Sequence, residues 1–105
     1  MEYIGQIQYD EKFIGKKLII YGTGKCGEKI FRYLHNNGLQ DRILGFCVSE
    51  IEGKSHTFCN KEVKTVEDMV VKYPEADYLI AGKYMREMFK ELQKRNIHNV
   101  HLLFL

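Results

Sequence analysis

Short runs of consecutive apolar residues mark four places along the chain, each separated from the next by a more polar stretch. The runs are Leu18–Tyr21, Ile43–Val48, Tyr78–Ala81 and Val100–Leu105. A short apolar run bounded by turn residues is typical of a strand that is buried on both faces. The pattern therefore predicts four main strands.

Apolar residues recur at helical spacing in the stretches between these runs. The first set is Gly27, Ile30, Phe31 and Leu34, the second is Val66, Met69, Val70 and Tyr73, and the third is Met85, Met88, Phe89 and Leu92. Each set falls on one face of an α-helix. Thr65, with Asp68 three residues later, resembles a capping box that opens the second helix, and Pro74 stops that helix.

The alternation of strands and helices predicts an α/β fold, namely a three-layer Rossmann-like domain with helices on both faces of a parallel sheet. Right-handed crossovers place the second strand on one side of the first and the third on the other. The expected sheet therefore has about four main strands in the order 2-1-3-4. Val63, in a stretch without clear period, is assigned to a short edge strand.

The two ends of the chain are interpreted differently. Residues 1–15 fit neither a helix nor a strand and are assigned to an N-terminal arm, whereas residues 16–105 form the domain. The last strand is expected at an edge of the sheet, where one row of its backbone groups would lack partners. We therefore expect either self-association, through the last strand or the arm, or a further domain beyond Leu105.

Composition narrows the class of protein. The chain has 105 residues, of which 45% are hydrophobic and 29% charged, and this is ordinary for one globular domain. Its net charge is only +2, and Lys and Arg alternate with Asp and Glu, so a nucleic-acid partner is not expected. The three cysteines are an odd number and suit reduced thiols in the cytoplasm. No apolar stretch is long enough for a membrane span.

The motif that carries chemistry is the glycine-rich turn Gly22-Thr23-Gly24-Lys25-Cys26-Gly27. It follows a buried strand and opens a helix, which is the context that a dinucleotide-binding fingerprint requires. The first glycine permits a sharp turn, the second leaves room for a phosphate, and the third lets helix and strand pack closely. The alternative is a tight turn that binds nothing.

Residues from two other loops are candidates for the same site. Glu50, 23 positions beyond Gly27, is placed to accept hydrogen bonds from a ribose, with Ser49 as a second polar partner. Gly82, Lys83 and Tyr84 follow the third strand, where Lys83 could reach a phosphate and Tyr84 could stack on a base or sugar. The alternatives are roles without a ligand: Glu50 as an ordinary solvated acid, Lys83 as a solvated lysine and Tyr84 as a partly buried tyrosine at a helix start.

No catalytic or metal-binding set is evident in the sequence. The four histidines are scattered, and His98 and His101 have neither the helical spacing of a metal pair nor a third ligand nearby. Cys26 lies near a helix N-terminus, which can lower a thiol pKa. Because no histidine lies near it in sequence, Cys26 is interpreted as a small packing residue.

Three segments resemble a Rossmann-like domain of bacterial surface-polysaccharide enzymes: Lys17–Gly27, Ile43–Glu50, and Val63 with the helix start Thr65-Val-Glu-Asp. The domain is similar to the N-terminal domain of sugar O- and N-acyltransferases of the sialic-acid and bacillosamine type, and related domains are NAD(P)- or CoA-binding-like. In that family the domain contacts the nucleotide-sugar substrate, and a β-helix absent from this chain carries the acetyl-CoA site. Where this sequence has Ser49-Glu50, the family usually has a pair of aspartates. The family also often has a histidine in the glycine-rich turn, near the positions of Lys25 and Cys26.

The resemblance implies a nucleotide-binding module, with a nucleotide sugar as ligand, in cell-surface polysaccharide biosynthesis. One alternative is an NAD(P)-binding domain of an oxidoreductase, in which Glu50 would hold the adenosine ribose. A complete dinucleotide fold normally has two mononucleotide-binding halves, so this alternative would need a further domain or partner chain. Another alternative is a non-catalytic interaction domain.

Overall fold

The apolar runs form the centre of a single sheet in the computed structural model, which describes residues 2–4, 16–51, 56–82 and 84–103. The strands in these ranges are β1 (Glu2–Ile4), β2 (Leu18–Tyr21), β3 (Ile43–Val48), β4 (Thr57–Phe58), β5 (Lys61–Thr65), β6 (Asp77–Ile80) and β7 (Val100–Leu103). The α-helices are α1 (Lys25–Asn36), α2 (Val66–Lys72) and α3 (Met85–Lys94), and a short 3-10 helix covers Gln40–Arg42.

The sheet order is β1-β7-β6-β2-β3-β5-β4, and every neighbouring pair is parallel except β4 and β5. The chain is therefore α/β with a mostly parallel sheet, which is compatible with a Rossmann-like class. The prediction of about four strands in the order 2-1-3-4 is wrong for the whole sheet, because seven strands lie within the described residues. The four strands predicted from apolar runs lie side by side in its centre, as β7-β6-β2-β3.

The edge predicted at the last strand is occupied. Strand β1 pairs in parallel with β7, in a register that sets Glu2 opposite His101 and Ile4 opposite Leu103. Strand β7 therefore has neighbours on both sides, and the prediction that it is an open edge is wrong. Residues 2–4 likewise belong to the sheet rather than to an irregular arm. Self-association remains a prediction, but an open edge at β7 no longer supports it.

Helices cover both faces of the sheet, as the sequence predicts. Side chains of β2 alternate between two cores: Leu18 and Ile20 pack in the same core as residues of α1, whereas Ile19 and Tyr21 pack with residues of α2 and α3. All four of these β2 side chains are buried. Because β2 is held on both faces and both edges, the loop that follows it starts from a fixed point. Among the described helices, none is both long and apolar enough to cross a membrane.

Helix α2 begins with the cap that the sequence predicts. The Thr65 side chain accepts a hydrogen bond from the Asp68 backbone N–H at 3.1 Å. Replacing this threonine by alanine removes the acceptor, so we expect Thr65→Ala to lose about 1 kcal/mol of unfolding free energy in urea titrations. Thr65→Ser keeps the hydroxyl and should stay close to wild type; an equal loss in the serine variant would contradict the capping role.

Candidate functional site

A cleft of about 950 Å³ lies at the carboxyl ends of β2, β3 and β6. From β2 the chain runs through α1 to β3 on one side, whereas β6 lies on the other side of β2. Open α/β sheets bind ligands in the crevice at such a change of direction. The residues that line it are Tyr21, Gly22, Thr23, Gly24, Lys25, Cys26, Val48, Ser49, Glu50, Ala81, Gly82, Tyr84, Glu87, Met88 and Glu91.

The first and last glycines of the turn fix its shape. Gly22 has a φ of +125°, and a Cβ placed there would lie 2.1 Å from the Ala81 carbonyl oxygen. The Gly22 N–H donates to the Cys47 carbonyl at 2.9 Å, which ties the turn to β3. A Cβ at Gly27 would lie 2.2 Å from the Gly22 carbonyl oxygen. Gly27 is buried and does not line the cleft, so its contacts are those of close packing between helix and turn.

The middle glycine faces open space. Gly24 is the N-cap residue of α1, and no side chain caps that helix. A Cβ at Gly24 would have no atom within 4 Å. The first backbone hydrogen bond of α1 runs from the Glu28 N–H to the Gly24 carbonyl at 3.0 Å, so the N–H groups before Glu28 have no acceptor inside the helix. With Lys25 beside them, these groups and the positive end of the helix dipole favour a negative charge at this wall.

The wall on the β3 side carries hydroxyl and carboxylate groups. Ser49 and Glu50 follow β3, are exposed and line the cleft. The Tyr21 hydroxyl lies 2.8 Å from Ser49 Oγ, which joins the ends of β2 and β3. Burial raises the pKa of the Tyr21 phenol, and the hydrogen bond with Ser49 opposes that shift in part. The phenol is therefore neutral at physiological pH.

The wall on the β6 side is formed by one face of α3. Tyr84, Glu87, Met88 and Glu91 follow one another at helical spacing and all line the cleft. Tyr84 is 70% exposed, which leaves its ring free to contact a ligand. Glu91 Oε2 accepts from Arg95 at 2.7 Å, and this hydrogen bond lowers the pKa of the Glu91 carboxyl.

The structure brings together most of the residues that sequence analysis assigned to the site. Gly22, Thr23, Gly24, Lys25, Cys26, Ser49, Glu50, Gly82 and Tyr84 share the cleft. Lys83 lies outside the described residues. Sequence analysis missed Tyr21, Val48, Ala81, Glu87, Met88 and Glu91. A signal for the last three was present, because they follow Tyr84 at positions +3, +4 and +7 and so fall on the same helix face.

The three cysteines differ in environment and are not paired. Cys26 is exposed in the cleft, Cys59 is half-buried, and Cys47 is buried. Burial raises the pKa of the Cys47 thiol well above its usual range, so Cys47 has no thiolate to offer as a nucleophile. In the described part of the chain, no three His, Cys, Asp or Glu side chains come together as a possible metal site.

Comparison with models of known protein families gives no match, and comparison with curated protein sequences gives none either. The resemblance to the acyltransferase-associated domain therefore rests on the residues of this chain and stays a prediction.

Proposed function

We propose that this cleft binds a phosphate-bearing nucleotide, with the phosphate at the turn Gly22–Gly27, and that the natural ligand is a nucleotide sugar. The observation that carries the proposal is the meeting of three loops. The glycine turn, Ser49 and Glu50 after β3, and Gly82 with Tyr84 after β6 line one cleft of about 950 Å³. That volume lies within the range of small-molecule sites, which is roughly 300–1,000 Å³.

The phosphate belongs at the start of α1. Free N–H groups at the helix N-terminus, the helix dipole and the Lys25 ammonium all favour a negative charge at that point. Gly24 exposes bare backbone to the cleft, with no atom within 4 Å of the position its Cβ would take. A phosphate oxygen can therefore approach the backbone as closely as a hydrogen bond requires.

The remaining parts of the nucleotide have polar and aromatic partners on either side of the turn. Glu50 on the β3 side offers carboxylate oxygens to ribose hydroxyls. Tyr84 on the β6 side offers an exposed ring for stacking against a base or sugar. The choice of a nucleotide sugar, and of a role in bacterial polysaccharide biosynthesis, follows from the resemblance of Lys17–Gly27 and Ile43–Glu50 to the acyltransferase-associated domain.

Thermal melting with a panel of nucleotides tests the proposal. UDP-sugars, NAD, NADP, CoA and S-adenosylmethionine are each added well above their expected dissociation constants. A ligand at 100 times its Kd adds about 2.7 kcal/mol of stability, which corresponds to a rise in Tm of roughly 10 °C or more for a chain of this size. We expect the largest rise with a UDP-sugar. A panel without any shift would contradict nucleotide binding and would favour an interaction domain.

An NAD(P)-binding role is the second candidate, because Glu50 lines the same cleft as the glycine turn. If Glu50 holds a ribose, then Glu50→Ala should weaken NAD binding by about tenfold, the effect of losing a hydrogen bond to a charged group. The same variant should leave inorganic phosphate or sulfate binding unchanged. Calorimetry with each ligand measures the difference, and an equal loss for all of them, or none, would make Glu50 a surface acid.

A further inference from the structure

Two hydroxyl groups meet at the floor of the cleft, and sequence analysis assigned only one of them to the site. Tyr21, the last residue of β2, has its hydroxyl 2.8 Å from the Oγ of Ser49, which follows β3. The two residues differ in exposure, since Tyr21 is 2% exposed and Ser49 is open to the cleft. The pair therefore connects a buried phenol to an exposed serine.

Either hydroxyl could be the donor in this contact by geometry alone, so the favoured direction follows from their acidity. A tyrosine hydroxyl has one hydrogen to donate, and within the described residues Ser49 is the partner that the structure gives it. The phenol of Tyr21 is more acidic than the aliphatic hydroxyl of Ser49, and the more acidic hydroxyl is the better donor. Donation from Tyr21 to Ser49 Oγ is therefore the favoured direction, and it leaves the serine hydrogen available to the cleft.

We propose that Ser49 donates this hydrogen to a phosphate oxygen of the bound nucleotide, and that Tyr21 is the positioning residue that orients it. An anionic oxygen is the strongest acceptor for such a donor. The free N–H groups at the start of α1 line the same cleft and attract the same anion. The inference rests on the proposed function, and it adds a phosphate contact from β3 to the contacts of the glycine turn.

The test compares four variants with wild type: Ser49→Ala, Ser49→Thr, Tyr21→Phe and the double variant Tyr21→Phe/Ser49→Ala. A matched control is Tyr78→Phe, which also removes a buried phenol hydroxyl. In wild type that hydroxyl donates to the Tyr73 carbonyl at 2.9 Å, and Tyr78 does not line the cleft. Affinities for UDP and AMP, and for the phosphate-free uridine and adenosine, are measured by NMR titration well below the melting temperature.

Ser49→Ala should weaken the binding of the better nucleotide about tenfold, and Tyr21→Phe about threefold to tenfold. The double variant should bind no more weakly than Ser49→Ala, because the phenol acts through the serine. Ser49→Thr should keep the wild-type affinity. Uridine and adenosine should bind all variants as they bind wild type, and Tyr78→Phe should lower Tm without changing any affinity.

Three results would overturn the inference while leaving the proposed function standing, provided that wild type binds UDP or AMP. The first is a Tyr21→Phe variant that loses stability but no affinity. The second is a double variant whose losses simply add. The third is an equal loss of affinity for the nucleoside, which would make the partner of Ser49 a sugar hydroxyl. If wild type binds neither nucleotide, both the proposed function and this inference are contradicted.

Discussion

A valine in place of Gly24 is expected to abolish nucleotide binding while leaving the free protein folded. Gly24 has a φ of −83°, which an L-residue adopts without strain, and it is exposed with no atom within 4 Å of a Cβ. The side chain would therefore project into the position proposed for the phosphate. Loss of two charge-assisted hydrogen bonds, each worth about 1.5–3 kcal/mol, corresponds to at least about 100-fold in Kd.

Calorimetry with the best ligand of the melting panel measures this effect, and the melting curve of the free variant measures the fold. Gly24→Ala is the graded control, because its smaller side chain should reduce affinity less than valine does. We expect both free variants to stay folded but to lose about 1 kcal/mol, or roughly 4–8 °C in Tm, because glycine is a better N-cap residue than alanine or valine. A Gly24→Val variant with wild-type affinity would show that the phosphate lies elsewhere.

An alanine at Gly22 is expected to have the opposite effect, a severe loss of stability. Its Cβ would lie 2.1 Å from the Ala81 carbonyl oxygen, and the φ of +125° is unfavourable for any side chain. Ala81 cannot easily move away, because its own N–H donates to the Tyr21 carbonyl at 2.9 Å. Backbone strain and overpacking each cost about 1–3 kcal/mol, so the total is about 2–6 kcal/mol.

A loss of that size is a large part of the 5–15 kcal/mol that stabilises an ordinary domain. Urea unfolding of Gly22→Ala measures this loss of unfolding free energy. Gly24→Ala, the same substitution two residues away, is the control. We expect the first variant to unfold at much lower urea, or to be unfolded without urea, and the second to lose only about 1 kcal/mol through its weaker N-cap. A loss in Gly22→Ala no larger than that in Gly24→Ala would refute the close contact between the turn and Ala81.

The centre of the fold could be predicted because its strands are buried on both faces. Leu18–Tyr21 and Ile43–Val48 are apolar at nearly every position, and each is followed by turn or polar residues. Strand β5 gave no such signal, since in Lys61–Thr65 only Val63 is buried. Strand β1 has three residues and pairs with β7 from the other end of the chain, and no local pattern reports such a distant partner.

In the candidate site, too, residues that are close in sequence could be predicted, whereas contacts between residues far apart in sequence could not. Gly22 to Cys26 could be found because a strand, a turn and a helix follow one another in sequence. The cleft position of Glu87 and Glu91 depends on how α3 packs against the sheet, which the helical spacing alone does not determine. The contact between Tyr21 and Ser49 joins residues 28 positions apart and depends on the register of β2 against β3.

The central claim is that a nucleotide phosphate binds at the start of α1, and an amide NMR titration of the ¹⁵N-labelled chain tests it most directly. UDP-glucose and NAD are added separately to wild type and to Gly24→Val. We predict saturable shifts of the Gly24, Lys25 and Cys26 amides in wild type with at least one of the two nucleotides, accompanied by Ser49 or Gly82, and no shifts in the variant. Saturable shifts confined to other parts of the chain, or none with either nucleotide, would contradict the claim.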